Sequence, residues 1–193
     1  MRLSTRASRH TLGAVTVLAL LAACSQPAPP SPPPRPVSSA PVETQLEKQT
    51  RLDFEAAEAA YRANMREQDR LFSSQATTFS SGALQETSAS KHLSLILSEL
   101  KAAKKAGWHT DNPTVIVAVS RAGYSPAKIA IWSCEDNRRV HLVYKSGKSF
   151  SPTDSRMYVQ SLTISRVDKA WKVTDLASLQ VKSFADDARC GAS

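Results

Sequence analysis

Asp175 is the acidic residue of this sequence that strand alternation places on an apolar face. Trp171 and Val173 precede it at intervals of two within a predicted strand. A carboxylate in apolar surroundings can act as a general base, and Tyr61 and Tyr144 could donate hydrogen bonds to an oxyanion. Because an acid near a strand end more commonly meets solvent or an arginine, we predict no catalytic residue, with Asp175 as the one candidate base.

The histidines and serines supply no second catalytic or metal-binding set. His92 stands at a predicted helix start, His109 in a turn and His141 in a strand, each without an acid or second histidine at metal-ligand spacing. Ser88 and Lys91 form a Ser-x-x-Lys pattern, but Ser88 is more simply an N-cap. With glycine-rich phosphate loops also missing from the sequence, we predict no metal and no cofactor.

Cys134 and Cys190 form an even pair outside the reducing cytoplasm, if the chain is exported as its first residues indicate. Such a pair predicts a disulfide bond. It would close a loop of about 56 residues and, in the loop-entropy model, stabilise the fold by roughly 4 kcal/mol. We expect it to hold the C-terminal tail against the sheet.

Cys24 ends a lipoprotein signal, Leu21-Ala22-Ala23-Cys24. Three arginines precede an apolar stretch, Thr11 to Ala23, which has signal-peptide length and is too short to span a bilayer. The sequence predicts a signal peptide over residues 1–23 and acyl chains, palmitate among them, attached to Cys24. The protein would then sit on the extracytoplasmic face of the cell membrane; the alternative is an ordinary cleaved signal with Cys24 incidental.

The mature chain divides into a proline-rich tether, residues 24–42, and a domain, residues 43–193. Eight of the 11 prolines fall between residues 25 and 42, a composition that favours extended polyproline II. Residues 1–23 contain three arginines and no acid, so their removal lowers the formal charge from +8 to +5. The basic residues are scattered and match no nucleic-acid motif, so we predict a membrane partner and no nucleic acid.

Helices come first in the domain and strands follow. Apolar residues at intervals of three and four predict a helix over residues 43–72, and a second helix over 88–106 that Gly107 ends. After Pro113 the period changes to two, which predicts strands over 115–121, 127–135, 140–145, 157–167 and 171–181. Short turns between them predict a continuous antiparallel meander, and the fold class is therefore α+β.

This element order resembles the cone-shaped, cystatin-like fold of nuclear transport factor 2 and its relatives, in particular secreted lipoproteins of the actinobacterial type. The resemblance is carried by short segments: Ser81 to Leu84 between the helices, Cys134 to Asp136 at a strand end, Trp171 to Val173 in the last strand, and Cys190. Glu135 departs from an expected aliphatic residue, and Trp108 stands where a smaller residue is expected.

The resemblance implies a curved antiparallel sheet and N-terminal helices that enclose a pocket. Enzymes of this fold, ketosteroid isomerase and scytalone dehydratase among them, use a carboxylate with Tyr or His partners there. Candidate pocket residues are Tyr61, Trp132, Tyr144, Met157 and Trp171, although such side chains more often belong to a core.

We predict a lipid-anchored binding or interaction module without catalysis, whose partner is an apolar small ligand or an envelope protein. The alternatives are an enzyme of the isomerase or dehydratase type, built on a pocket carboxylate, and an accessory subunit of an envelope or secretion complex.

Overall fold

The computed structural model describes residues 42–74, 82–150, 157–185 and 187–190. The predicted signal peptide, the lipid attachment at Cys24 and the tether up to residue 41 lie outside these residues, as does Ser81. Within them, no helix is long and apolar enough to cross a membrane.

Helix α1, Gln45–Ser73, begins at a capping box. The Thr44 hydroxyl accepts a hydrogen bond from Glu47 N at 3.2 Å, and the Glu47 carboxylate accepts one from Thr44 N at 2.8 Å. Ala57, Tyr61 and Met65 are buried as the helical stripe predicts, because residues three and four apart share one face.

The helix predicted over residues 88–106 is present as Ser90–Ala106, and a short helix precedes it. Helix α2, Gly82–Thr87, and helix α3, Ser90–Ala106, are separated at Ser88, which is buried and bridged to Val173. The N-cap of α3 is Ala89, without a side-chain cap, so the prediction of Ser88 as N-cap is wrong. Ser88 Oγ instead accepts a hydrogen bond from Asn64 at 2.5 Å.

The strands are β1 (Trp108–Thr110), β2 (Val115–Ser125), β3 (Lys128–Asp136), β4 (Leu142–Tyr144), β5 (Ser149–Phe150), β6 (Met157–Val167) and β7 (Ala170–Val181). The order β2-β3-β6-β7 gives one antiparallel sheet, and β1-β4-β5 gives a smaller one. The predicted continuous meander is wrong at β4, because that strand leaves the main sheet and pairs with β1.

One face of the main sheet packs against α1. Its core consists of buried side chains from the helix and from three strands: Ala57, Tyr61, Met65, Ile129, Ile131, Leu162, Ile164, Trp171 and Val173. A second buried cluster joins α1, α2 and α3 through Leu71, Leu84, Ile96 and Leu100. The prediction of an α+β fold with helices packed on an antiparallel sheet is confirmed.

The opposite face of the main sheet carries the C-terminal tail. Cys134 is disulfide-bonded to Cys190, with Cα atoms 5.8 Å apart. Ser120 Oγ donates to Arg189 O at 3.0 Å, and the Arg189 guanidinium lies 5.1 Å from the centre of the Trp132 ring. The tail is therefore attached to the sheet at three points, beneath which Cys134 is fully buried.

Candidate functional site

Asp175 is exposed and does not face the core, so its prediction as the pocket base is wrong. The pairing of β6 with β7 shifts by one residue: Ile164 faces Val173, whereas Thr163 faces Asp175. Thr174 is the extra residue of this irregularity, and an extra residue reverses the alternation that follows it. Leu176 consequently packs against the core in the place predicted for Asp175.

A cavity of about 460 Å³ lies between α1, α3 and the junction of the two sheets. This volume is in the range of small-molecule sites. Its lining is apolar over much of its area, with acidic and amide groups between: Met65, Gln68, Asp69, Phe72, Glu99, Ala102, Trp108, Thr110, Thr114, Glu135, Asn137, Val140, Leu142 and Gln160.

Glu135 is the buried carboxyl group of this cavity, with 1% of its surface exposed. Strand β3 alternates so that Ile129, Ile131, Ser133 and Glu135 are all buried on the face that meets α1. The side chain thus continues the core row of β3 and reaches the cavity at the end of that row.

Two side chains hold the Glu135 carboxyl group, and a third holds one of those two. The Tyr61 hydroxyl donates a short hydrogen bond to Oε1, and Gln160 Nε2 donates to Oε2 at 2.6 Å. Ser133 Oγ lies 2.6 Å from the Tyr61 oxygen. Because the phenol gives its one proton to Glu135, Ser133 is the donor in this second bond.

Burial raises the pKa of Glu135 to about 7. The hydrogen bond from Tyr61 opposes this rise, and the nearby charge of Asp69 adds to it. Burial, together with the charge of Glu135, raises the pKa of the Tyr61 phenol above its ordinary value, so Tyr61 stays protonated. The site therefore holds a carboxyl group that changes charge near neutral pH beside a permanent hydroxyl donor.

Two further carboxylates and an aromatic wall complete the lining. Asp69 Oδ1 accepts a hydrogen bond from Thr114 N at 3.2 Å, and burial raises the pKa of Asp69. Glu99 is exposed on the α3 side. The rings of Phe72 and Trp108 stack at 5.9 Å between centres and 6° between planes.

Two lining residues carry buried amide oxygens without a hydrogen-bond partner among the described residues. These atoms are Asn137 Oδ1 and Gln160 Oε1. A buried acceptor without a donor costs free energy unless water or a ligand supplies one.

Tyr61 is the predicted pocket residue that contributes to this site, through its bond to Glu135. Trp132 lies on the disulfide face of β3 under Arg189, and Tyr144 is 37% exposed in β4. Met157 is buried opposite Asp136, and Trp171 belongs to the main core with the Arg166 guanidinium 4.9 Å from its ring centre. These four side chains do not line the described cavity.

Sequence reasoning missed Glu135 as a site residue, because it was assigned to a strand end and its turn. The signal was present in the alternation from Ile129 to Ser133, which points Glu135 inward. Glu135 and Trp108 were also the two departures from the expected pattern, and both line the cavity.

The histidines lie elsewhere. His92 is buried and its Nε2 is 3.0 Å from Asn64 Oδ1, an acceptor, so Nε2 carries the proton; burial lowers the pKa of His92 to about 4. His109 is part of β1 and not of a turn, and His141 pairs with Asp111 at 2.8 Å. The described residues contain no group of three His, Cys, Asp or Glu side chains able to hold a metal ion.

No protein-family model and no curated protein matches this chain. Among solved structures it is similar to the intermembrane space region of the chloroplast protein ARC6, at 14% identity and TM-score 0.49, over 66% of this chain and 96% of that one. A candidate aromatic ring hydroxylase from Novosphingobium aromaticivorans matches at 12% identity and TM-score 0.50, over 68% and 91%. A candidate dehydratase of the NTF2-like family from Streptomyces avermitilis matches at 10% identity and TM-score 0.47, over 69% and 99%. At these identities the likeness to the hydroxylase supports the fold alone.

Proposed function

We propose that this chain is a lipid-anchored, nuclear transport factor 2-like domain that binds a small, largely apolar molecule in the cavity beside Glu135. One observation carries the proposal. A cavity of about 460 Å³, whose accessible lining is mostly apolar by area, contains the deeply buried carboxyl group of Glu135, held by Tyr61 and Gln160. Apolar walls supply affinity, and a few fixed polar groups orient the ligand.

The hydrogen bonds of Glu135 favour ligand binding as the principal function of the cavity. Both carboxyl oxygens already accept hydrogen bonds from the protein, yet each retains a lone pair that a ligand can use. Preorganised groups of this kind lose little side-chain entropy when a ligand enters.

The neutral fluorophore N-phenyl-1-naphthylamine tests the proposal. The full chain is used with Cys24→Ala, so that no acyl chain competes for the probe. We expect saturable binding that Ala102→Trp abolishes, because Ala102 lines the cavity and a tryptophan there fills it. Lys101→Trp, at an exposed position of the same helix that does not line the cavity, is the control and should retain binding. Absence of saturable binding, or equal loss in both variants, would contradict the proposal.

A second candidate function is proton transfer, with Glu135 in place of Asp175 as the base. The observation that favours it is the pKa of Glu135 near 7, which makes the group both donor and acceptor at neutral pH. The probe 5-nitrobenzisoxazole opens when a base removes its ring C–H proton, the N–O bond breaks and 2-cyano-4-nitrophenolate forms. Turnover that Glu135→Gln removes and Asp175→Asn leaves intact would support this function; a rate equal in all three proteins would exclude it.

The proposed location is the extracytoplasmic face of the cell membrane, in the manner of an actinobacterial-type lipoprotein. Its support is the Leu21-to-Cys24 signal and the proline-rich segment that follows it. Cys24→Ala should move the protein from the membrane to the soluble extracytoplasmic fraction. If crosslinked membranes yield a stable protein complex with this chain and no small ligand, the accessory-subunit alternative is favoured instead.

A further inference from the structure

We propose that the cavity selects an organic cation: a molecule that carries a protonated amine on a flat aromatic body. This inference rests on the proposed function, because it names the chemical class of the ligand that the same cavity takes.

The charge of the lining is the first argument. Glu135, Asp69 and Glu99 line the cavity, and no lysine, arginine or histidine is among its described lining residues. The protein without its predicted signal peptide has the opposite character, with a formal charge of +5. The cavity is therefore an acidic depression in a basic molecule, and a field of one sign in a concave, low-dielectric site selects the opposite charge.

The interaction between two of these carboxyl groups is the second argument. Burial is the main cause of the raised pKa of Glu135, and the charge of Asp69, which lines the same cavity, adds to it. Two like charges that line one cavity repel, and a cation bound in that cavity reduces the repulsion. A neutral or anionic ligand offers no such gain, and an anion adds a third repelling group.

The aromatic wall specifies the remainder of the ligand. Phe72 and Trp108 present stacked rings on the same cavity as Asp69. Ring faces attract both flat aromatic bodies and cations, with tryptophan the strongest of the side chains. Trp108 follows directly on Gly107, the C-cap of α3, so its position is fixed by the end of that helix.

The unpartnered groups are the third argument. Both buried atoms that lack a partner at this site, Asn137 Oδ1 and Gln160 Oε1, are acceptors. An ammonium group has three donors and no acceptor. Its donors are of the type that these two acceptors lack, although neither oxygen has accessible surface in the structure.

Three compounds with the same indole ring test the inference: tryptamine (cation), tryptophol (neutral) and indole-3-acetate (anion). Calorimetry is carried out on the full chain with Cys24→Ala, at about 50 mM salt so that screening is modest. We expect tryptamine to bind about tenfold or more tightly than tryptophol, and indole-3-acetate to bind most weakly. The preference should shrink at about 500 mM salt.

Asp69→Asn and Asp175→Asn form a matched pair of variants. The Asp69→Asn change retains an amide oxygen for Thr114 N and removes one cavity charge, whereas Asp175 is exposed and does not line the cavity. The first should weaken tryptamine several-fold and leave tryptophol unchanged; the second should change neither. Equal binding of tryptamine and tryptophol would overturn the charge inference while leaving cavity binding intact. If none of the three compounds binds, the inference also fails, and the naphthylamine experiment decides separately whether the cavity binds anything.

Discussion

Burial of the Glu135 carboxyl group is energetically unfavourable, and hydrogen bonds from its neighbours offset part of that cost. Burying a carboxylate is unfavourable unless hydrogen bonds replace water, and Tyr61 and Gln160 supply two of them. Burial nevertheless raises the pKa to about 7, so the compensation is incomplete. An incompletely compensated acid at a cavity is characteristic of a functional site.

Glu135→Gln should make folding stability less sensitive to rising pH. A carboxyl group whose pKa is higher in the folded state than its ordinary 4.5 binds protons more tightly when folded, so its contribution to stability falls as pH rises from 4.5 to 7. Glutamine does not titrate, and the flipped Gln160 amide offers it the oxygen Oε1 that now lacks a partner. We expect the difference in unfolding free energy, variant minus wild type, to grow by about 2.5 kcal/mol across this range. Urea unfolding at a series of pH values measures it.

Glu86→Gln is the control, since Glu86 is exposed on α2. His92 contributes a slope of opposite sign: its pKa of about 4 lies below the ordinary 6.5, so its contribution is complete above 6.5 and is lost as pH falls towards 4. Because His92 is present in every variant, the difference isolates Glu135. A difference that stays constant with pH would show that Glu135 does not titrate between 4.5 and 7.

At the scale of elements, the end of α3 determines one wall of the cavity. Gly107 has φ +72°, and a Cβ there would lie 3.2 Å from Lys145 Cδ. We expect Gly107→Ala to destabilise the fold by about 1 kcal/mol or more, because a left-handed conformation strains any residue with a Cβ. The strain should also displace Trp108 and weaken binding of tryptamine. Denaturant unfolding and calorimetry measure the two effects.

Gly82→Ala is the matched control, because nothing lies within 4 Å of a Cβ at that helical position. It should be neutral or slightly stabilising, since alanine restricts the unfolded chain more than glycine does. If the two variants were equally stable, the left-handed C-cap at Gly107 would not limit which residue this position accepts.

The elements could be predicted from sequence because their signals are local, and the errors occur where tertiary contacts override them. The stripe in α1 and Gly107 after α3 depend on spacing and backbone preference alone. Ser88 looked like an N-cap, but Asn64, 24 residues earlier, donates to its hydroxyl. Asp175 looked inward because the register shift at Thr174 depends on the partner strand β6 and leaves no mark in β7 itself.

The candidate site could be predicted only in part for the same reason. Tyr61 was found because helical spacing turns it inward, yet its partner Glu135 lies 74 residues away. The cavity forms where β4 leaves the main sheet to pair with β1, a pairing between strands too short to give a clear pattern. The sequence contained two residues that depart from the expected family pattern, Glu135 and Trp108, and the fold brings both to one cavity.

At the scale of the whole molecule, one covalent bond joins the sheet to the end of the chain. Cys134–Cys190 closes a loop of 56 residues that contains β4 to β7, so its main effect is to restrict the unfolded chain. We expect Cys134→Ser/Cys190→Ser to lower the unfolding free energy by about 4 kcal/mol. Tryptophan fluorescence during urea unfolding measures this loss.

Reduction of the wild-type protein distinguishes the effect of losing the disulfide bond from the effect of substituting the two cysteines. Dithiothreitol should reproduce the loss in the wild type and leave the double variant unchanged. The released tail also withdraws the Arg189 guanidinium from Trp132, so the native fluorescence should change in both reduced and substituted proteins.

The cavity lies on the other face of the sheet, where Glu135 and Tyr61 meet, and its binding of tryptamine should persist while the protein stays folded. If tryptamine binding were lost while the protein remained folded, the position of the tail would be coupled to the cavity.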